Sequence, residues 1–444
     1  MSQLDLLVIG AGMAGLTAAA RVAEAGGRVA VVERGPDIGG SAIYAGFAWT
    51  AANLELLREI NPSGDEALAG ALIDGFPDGI AWIRWLGVAC KPAVTVLRYG
   101  RGHQFDTGHY ISRCAEVIRD HGGELLLSAE TTALIRRGGA VTGARIEDAA
   151  GDVRDLHATS TLLATGGFQA DPAMRAELIH PNARDIPLRS NPHSRGDGWR
   201  LAASAGARLG PAHAGFYGHL VPAGVSLAPE QFVELALYCS EHTLLFNLTG
   251  ERFVDETIGD HVSTIALVDQ PEARALMVAD SVAYEQWMRG SYVEGTSALD
   301  KFDLAKRRGA RCAVAGDIEE FGYMPPEWGY PGEEIAAGIR RYNDGVTGGL
   351  TLIPTRDFDR RPLDRPPYYI VEVAPAITYT MTGILIDAQS RVLDADGRPI
   401  PGLLCAGSDA GGLYVRAYAG GIAAALVFGL AAARTALAPR PRIA

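Results

Sequence analysis

Leu4-Asp5-Leu6-Leu7-Val8-Ile9-Gly10-Ala11-Gly12-Met13-Ala14-Gly15 is the stretch whose reading decides the fold. Leu4 to Ile9 is an apolar run of strand length, glycines follow at once, and Leu16 to Ala25 is alanine-rich with helical spacing. The order is strand, turn, helix. A second apolar run, Arg28 to Val32, ends in Glu33, eighteen residues after Gly15, where a parallel neighbour strand places an acid at its C-terminal edge. A bare G-x-G-x-x-G is a weak signal, but with both strands, the helix and the acid it specifies a dinucleotide site. Gly10 allows the tight turn, Gly12 lets the backbone approach a pyrophosphate, Gly15 lets helix and strand pack, and Glu33 accepts from ribose hydroxyls. The helix N-terminus then faces the phosphates. An acid at this position argues against a 2′-phosphate.

The rest of the composition limits what such a chain can be. At roughly 150 residues per domain, 444 residues predict two or three units. A hydrophobic fraction of 48% with 21% charged residues is ordinary for a globular protein. A chain of this length buries about three quarters of its extended surface. Fifty-two acids against 40 bases give a net charge of -12, and no basic patch stands out, so a nucleic-acid partner is not expected. The five cysteines, Cys90, Cys114, Cys239, Cys312 and Cys405, are far apart and without metal-ligand spacing, and read as reduced thiols. The histidines likewise show no ligand spacing, so no metal is expected. No export signal is evident, and the longest apolar stretch, Ala419 to Ala433, is shorter than the roughly 20 residues of a bilayer crossing. The expectation is a cytoplasmic protein without membrane insertion.

Downstream of Glu33, Ile38-Gly39-Gly40-Ser41-Ala42-Ile43-Tyr44-Ala45-Gly46-Phe47-Ala48-Trp49 is a loop of glycines and small residues. It resembles the isoalloxazine-contacting loop of the fumarate reductase and succinate dehydrogenase flavoprotein superfamily, which includes 3-ketosteroid Δ1-dehydrogenases. Further stretches match that superfamily in order: Leu163-Ala-Thr165-Gly166-Gly167-Phe168, Gly196-Asp197-Gly198, Gly250-Glu-Arg252-Phe253-Val-Asp255-Glu256, and Pro401-Gly-Leu-Leu-Cys-Ala-Gly407 with Gly420-Gly421. The resemblance runs nearly end to end. It implies an α/β fold: a Rossmann-type FAD-binding domain (1–199 and 362–444) with an inserted α+β cap domain (200–361).

Within that plan, Glu124 to Leu127, Thr132 to Arg136, Ala140 to Ile146 and Leu162 to Ala164 suit a small antiparallel sheet returning to the main one. The middle third mixes helical stretches such as Gly332 to Tyr342 with a Pro-rich loop, Met324 to Pro331. The chain should return to the FAD domain near Pro362 to Tyr369. Gly421 to Leu437 should be a nearly all-apolar helix with its glycine-rich N-terminus toward the flavin.

The resemblance also implies the cofactor contacts: Gly10, Gly12, Ala14, Gly15, Glu33, Arg34, Gly40, Ser41, Gly46, Phe47, Thr131, Thr165, Gly166, Asp197, Ser408, Gly420 and Ala423. Succinate dehydrogenase relatives attach flavin through a histidine in the glycine-rich loop, and Ser41 to Gly46 contains none, so FAD should be held non-covalently. The family pattern has a glutamate after Ala406-Gly407, where this chain has Ser408-Asp409.

The departures from the fumarate-reducing pattern bear on the substrate. Those relatives hold a dicarboxylate with the histidine of H-T-M-G-G, with an arginine in the C-terminal glycine loop, and with an arginine proton donor soon after R-F-x-x-E. This chain has Tyr379-Thr-Met-Thr-Gly383 at the first, Tyr418 at the second with Arg416 two residues earlier, and Gly259 at the third. The resemblance then implies chemistry like that of the ketosteroid dehydrogenases, with tyrosines and a backbone N–H polarising a ketone and hydride passing to flavin N5. Phenols donate to a neutral carbonyl and can pass a proton. Tyr379 would polarise the carbonyl, Gly383 or Gly421 would assist, and Tyr418 or another tyrosine (Tyr44, Tyr414, Tyr368) would take the proton. Tyr44, Glu256 and Arg416 are the expected substrate contacts, although Arg252 and Glu256 are equally suited to an internal ion pair. Arg195 is a further candidate for a carboxylate, and His219 and His242 for the cap side of the pocket.

Three functions follow as alternatives. One is α,β-dehydrogenation of a cyclic ketone, or its reverse, in a small-molecule site. Another is reduction of an unsaturated carboxylic acid, and the third is FAD binding without turnover. No heme-binding C-x-x-C-H or iron–sulfur cysteine cluster occurs, so oxygen, a quinone or a separate carrier would take the electrons.

Overall fold

The computed structural model describes residues 3–228, 231–290 and 298–439. The chain divides into two compact units. The first comprises Met1–Ile179, Ser190–Phe216 and Tyr379–Ala444, and the second His180–Arg189 and Tyr217–Thr378. The chain first enters the second unit at His180–Arg189, before position 200, and its final return falls later than the stretch at 362–369 suggests. That stretch leads into Tyr368–Thr380, the strand between Phe216–Pro222 and Ala275–Ala279 in a five-stranded sheet. The chain stays with the second unit until that strand is nearly complete.

The first unit is built on parallel strands in the order Pro399–Cys405, Val153–Leu163, Leu4–Ile9, Val29–Val32 and Glu124–Leu126. Leu6, Leu7, Val8 and Ile9 pair with Val29, Ala30, Val31 and Val32, which fixes Glu33 just beyond the edge where Gly10 begins. All four strand positions on each side are buried, which explains why both runs are continuously apolar rather than alternating. Glu124–Leu126 is a parallel edge strand of this sheet rather than part of the small antiparallel one. The antiparallel strands are Ala129–Arg137, Ala140–Asp148 and the first half of Val153–Leu163, whose second half joins the parallel sheet. That long strand carries Thr165 to the same edge as Gly10.

Two helices cover one side of the turn. Met13–Glu24 begins directly after Gly12, and Gly421–Leu437 begins after Gly420, in line with the apolar pattern. They approach closely because Gly429 has no side chain: a Cβ there would lie 2.7 Å from the Ala14 carbonyl oxygen. Gly75 and Gly79, on the helix Glu66–Trp85, admit Val427 and Leu426 in the same way. Among the described residues, no helix is long and apolar enough to cross a membrane, and no cluster of three or more metal-ligating side chains occurs.

The second unit contains the antiparallel strands Leu244–Asn247, Ala275–Ala279, Cys312–Ala315 and Tyr368–Thr380. Leu244, Phe246, Leu276 and Ile370 on this sheet are buried with Ile335, Ile339 and Tyr342 of the helix Gly332–Thr347, forming a core of its own. Of the five cysteines, Cys114, Cys239 and Cys405 are buried, Cys90 and Cys312 are half-buried, and all are free thiols.

The packing at Gly15 makes a direct prediction. A Cβ at that position would meet the Gly10 carbonyl oxygen at 2.1 Å and Val8 Cγ1 at 2.9 Å. Gly15→Ala should lower the urea stability of the protein by roughly 1–3 kcal/mol, the cost of overpacking. An unchanged denaturation midpoint would show that helix and strand are not locked together there.

Candidate flavin and substrate site

The glycine turn is built from three close backbone approaches. Gly10, at φ +105°, sits where a Cβ would lie 2.2 Å from the Ala164 carbonyl oxygen, so only glycine lets the two strand ends meet. Gly39 donates its N–H to the Ala11 carbonyl at 2.8 Å, and a Cβ on Gly40 would lie 3.1 Å from Gly12 Cα. The two glycine-rich loops are therefore stacked. A Cβ on Gly12, by contrast, meets nothing within 4 Å. The helix that follows has no side-chain cap and no acid in its first turn, so its N-terminal amides face an open space suited to an anion.

Glu33 has a role the motif alone does not reveal. It is buried, and its two carboxylate oxygens accept the N–H groups of Ala11 and Gly35, each at 2.8 Å. It thereby ties the turn to the end of the second strand, and each oxygen keeps a lone pair for a ribose hydroxyl.

The third lobe comes from the C-terminus. Asp409, one residue past the position where the family pattern has glutamate, is buried and accepts from the Thr165 N–H, the Thr165 hydroxyl at 3.0 Å and the Gly167 N–H at 2.9 Å. The carboxylate is thus directed at the Thr165–Gly167 turn. Burial holds its pKa above the ordinary carboxylate range despite these donors. Thr165 Oγ1 in turn accepts the Gly198 N–H at 2.9 Å, so Asp409, Gly166 and the Gly196–Gly198 turn form one unit. Gly407, at φ +75°, brings the preceding turn against Ala14, and Ser408 beside it is half-buried.

Around this frame, Ser41 shares a hydrogen bond of 2.5 Å with Ser190, which Gln169 also contacts. Gly46 and Phe47 are half-buried, with Phe47 opening the strand Phe47–Ala51. Arg34 pairs with Glu130 at 2.6 Å and Asp197 at 3.0 Å, beside a cavity of about 470 Å³ that Thr131 also lines. Burial raises the pKa of Asp197, against the pull of Arg34 and Arg200. Among the described residues, Thr131 Oγ1, Arg34 Nε, Thr50 Oγ1 and Thr380 Oγ1 are buried without hydrogen-bond partners. Open space at an uncapped helix end, a buried acid with spare acceptors and these unanswered polar atoms fit a dinucleotide carrying a flavin. Gly420, at φ +96°, has the Trp49 carbonyl oxygen 1.7 Å from where a Cβ would be, and Ala423 lies buried in the first turn of the helix beyond it.

Three of the expected tyrosines come together in the first unit. Tyr379, Tyr414 and Tyr418 have ring centroids 5.5 to 6.5 Å apart, and Trp49 lies 5.7 Å from Tyr418. Their hydroxyls differ. Tyr414 donates to the Ala419 carbonyl at 2.8 Å, which makes it a brace of the loop. Tyr418 accepts the Gly421 N–H at 2.5 Å, so its oxygen caps the apolar helix. The Tyr379 hydroxyl has no partner among the hydrogen bonds of the described residues, and burial pushes its pKa upward. Gly421 therefore serves Tyr418 rather than a substrate carbonyl. Gly383 is buried with the 409–411 backbone where its side chain would be, so it too is packed rather than open.

Tyr44 is half-buried at the end of the short helix Gly40–Tyr44. Arg416 is exposed and holds a left-handed φ of +59°, while Arg195 is exposed with its Nε on the Pro192 carbonyl. Sequence reasoning missed Asn61, which is buried and clamps the tyrosine loop by donating to the Leu413 carbonyl at 2.6 Å and accepting the Val415 N–H at 2.7 Å. Its partners lie more than 350 positions away, so no local signal marks it.

In the second unit, Glu256 is wholly buried and corrects an expectation. Arg252 and Arg356 donate to it at 2.7–3.0 Å, as does the Leu245 N–H at 3.0 Å. It is an internal ion-pair anchor rather than a substrate contact. Tyr368 is buried in the core of this unit. His219 is buried 2.5 Å from Asp260, between the edges of Tyr217 and Tyr238.

Comparison with known proteins places the chain in a family. The FAD binding domain family matches residues 5–75 and 66–423, and the chain belongs to it. FAD is its cofactor, and the class this defines is a FAD-dependent oxidoreductase. The chain is 24% identical over 97% of its length to an NADH:fumarate oxidoreductase of Klebsiella pneumoniae (strain 342), of which it spans only 47%. It is 26% identical to the vinyl phenol reductase of Lactiplantibacillus plantarum (strain ATCC BAA-793 / NCIMB 8826 / WCFS1), covering 92% of this chain and 90% of that one. In fold it is similar to 3-ketosteroid Δ1-dehydrogenase from Sterolibacterium denitrificans, with a TM-score of 0.78, 18% identity and coverage of 98% and 99%. A flavocytochrome c3 fumarate reductase superposes with a TM-score of 0.72 at 24% identity, over 98% of this chain and 78% of that one.

The frame yields two expected outcomes. Asp409→Ala, which leaves three donors unanswered, should cost about 3 kcal/mol in denaturant unfolding, and unchanged stability would refute the pin. Glu33→Ala should lose flavin on extensive dialysis, and full retention, read from flavin absorbance, would show that the carboxylate serves the turn alone.

Proposed function

We propose that this FAD-dependent oxidoreductase removes or adds two hydrogens across a carbon–carbon bond conjugated to a carbonyl, on a substrate recognised as a ketone rather than as a carboxylate. The observation that carries this reading is the phenolic cluster of Tyr379, Tyr414 and Tyr418, in which Tyr379 and Tyr418 stand where fumarate-reducing relatives would place a histidine and an arginine. A phenol is a neutral donor. It matches a ketone oxygen, whereas a carboxylate is best held by guanidinium or imidazolium. The similarity in fold to a ketosteroid dehydrogenase is consistent with this choice, and a vinyl phenol reductase matched over nearly its full length is consistent with a substrate that lacks a carboxylate.

The cofactor contacts are assigned as expected from the sequence: Gly12 and the helix after it at the pyrophosphate, Glu33 at a ribose, and Arg34, Thr131 and Asp197 toward the nucleotide end. The glycine loop through Phe47 is assigned to the ring system. Bound flavin supplies the two-electron acceptor or donor. The protein's residues supply orientation and proton movement. Tyr379, kept protonated by burial, donates to the carbonyl oxygen and so acidifies the hydrogen on the neighbouring carbon. Tyr418 is the proton acceptor. The N-terminus of the helix Gly421–Leu437 points at its oxygen through the Gly421 N–H, which favours negative charge developing there. The second unit is assigned the substrate-capping role, and electrons pass to oxygen, a quinone or a separate carrier.

Anaerobic bleaching of the flavin absorbance tests the substrate class. Cyclic ketones lacking a carboxylate should bleach it, and bleaching by saturated carboxylic acids alone would overturn the ketone reading in favour of an ene-reductase of unsaturated acids. If neither class reduces the protein, its dithionite-reduced form should be reoxidised by an enone. Failure there leaves a flavin-binding protein without this turnover. Tyr379→Phe should retain flavin while slowing its reduction by roughly a hundredfold, the lower end of what general acid catalysis supplies, and unchanged reduction kinetics would remove Tyr379 from the mechanism.

A further inference from the structure

The second unit holds a histidine clasped between two carboxylates and an indole. His242, at the end of the short helix Tyr238–His242, has Nδ1 2.7 Å from Asp359 Oδ2 and Nε2 3.3 Å from Glu241 Oε1. Its ring lies parallel to Trp287, with centroids 3.8 Å apart and planes 10° apart. The other charged groups around it are Arg356, 4.0 Å from Asp359, and Arg361, 3.8 Å from Asp359. The Arg361 guanidinium also sits 5.5 Å from the Trp287 ring and pairs with Asp280 at 2.9 Å. Glu241 and Asp359 are thus the acids that face the imidazole, and Arg356 and Arg361 the bases behind Asp359.

Asp359 belongs to a strap, residues 354–361, that crosses this region without regular structure. Its N-terminal half is anchored by Arg356, which is buried and donates to the Thr243 and Glu241 carbonyls and to Glu256. Beyond Arg356 the backbone is held by the Asp357 N–H to Asp255 at 2.7 Å, the Phe358 N–H to Thr257 Oγ1 at 3.3 Å, the Arg356 Nε to the Asp359 carbonyl at 2.7 Å and the Tyr342 hydroxyl to the Arg361 carbonyl at 2.8 Å, while the side chains tie Arg361 to Asp280 and to the His242 carbonyl, and Asp359 to the His242 ring. The strap and the turn before it also carry exposed apolar side chains, with Ile353 at 91% and Phe358 at 48% exposure.

We propose that His242 is a proton-operated clasp for this strap, fastening its Asp359 end when the imidazole is charged and releasing it when the imidazole is neutral. An imidazolium has two N–H groups and satisfies both carboxylates. A neutral ring has one, so a lone pair must then face a carboxylate, and the stacking on Trp287 loses its cation–π component. Burial acts to lower the pKa of His242, but the bonds to Asp359 and Glu241 outweigh it, and the value in the folded protein lies above the ordinary 6.5. The clasp is therefore fully closed below the ordinary value and is lost as pH rises through the raised one. This inference is independent of the ketone reading and of turnover.

Hydrogen exchange of the flavin-loaded, full-length protein tests it. Peptides covering 354–361 would be followed at roughly pH 6 and pH 9, either side of an imidazole titration, after correction for intrinsic rates. Protection of the Asp357–Arg361 amides should fall by at least tenfold at the higher pH, while the strand Leu4–Ile9 should not change. In His242→Gln, which cannot be charged, protection should be low at both. Equal protection of the wild type at both values, or a pH-dependent loss that persists in His242→Gln, would overturn the clasp. Should His242→Gln fail to fold, Glu241→Gln supplies the second reading. Losing one acid must move the midpoint of release to lower pH, and an unmoved midpoint overturns the proposal.

Discussion

Everything in the first unit depends on a place where no side chain fits. The end of Leu4–Ile9, the end of Val153–Leu163 and the start of Met13–Glu24 converge on Gly10 and Gly15, with backbone atoms where their Cβ atoms would otherwise be. Glycine has a conformational cost in a folded chain, and the structure offsets it by bonding the turn on all sides. Glu33 holds it through Ala11 and Gly35, and Gly39 does so through the Ala11 carbonyl. Gly12 faces open space among the described residues, and that is where the helix presents its N-terminal amides.

The same economy recurs at the C-terminal side. Asp409 holds the Thr165–Gly167 turn, Thr165 holds Gly198, and Gly421 supplies its N–H to Tyr418. Polar groups that a residue-by-residue reading would assign to ligand or substrate are thus often committed to backbone. What is left over has the greater weight, and among the described residues it includes the Tyr379 hydroxyl, Thr131, Thr50, Thr380 and the spare lone pairs of Glu33. In the second unit, Glu256 illustrates the opposite case, a carboxylate with so many donors around it that it has no capacity for a ligand.

Much of the fold was legible because its signals are local. Strand, turn, helix and strand over the first 33 residues, the apolar helix Gly421–Leu437 and the long helix after Pro331 all lie in single windows of periodicity. The edge strand Glu124–Leu126 was misassigned for a physical reason: three residues carry no period, and whether a neighbour runs parallel or antiparallel is not written in either strand. The late return of the chain to the first unit was obscured similarly. Pro362 to Tyr369 reads as the point of return, yet it leads into the thirteen-residue strand Tyr368–Thr380. At the site, the tyrosines could be singled out by their departure from the family pattern, but not the division of labour among them. Tyr414 and Tyr418 sit four residues apart, and their hydroxyls meet different backbone groups.

The sequence by itself determined the cofactor class, because a dinucleotide turn needs particular glycines at fixed spacing followed by an acid at the next strand end, and those constraints act within a few dozen residues. It also showed tyrosines, Tyr379 and Tyr418, at the positions where the resembled fumarate-reducing pattern has a histidine and an arginine. Only the tertiary structure decided which polar groups are committed and which are open. Asp409 finds Thr165 across 244 positions, Asn61 finds the tyrosine loop across more than 350, and Arg356 meets Glu256 across 100. A hydrogen-bonding group's availability is set by its neighbours in space, and no pattern along the chain encodes pairs so far apart.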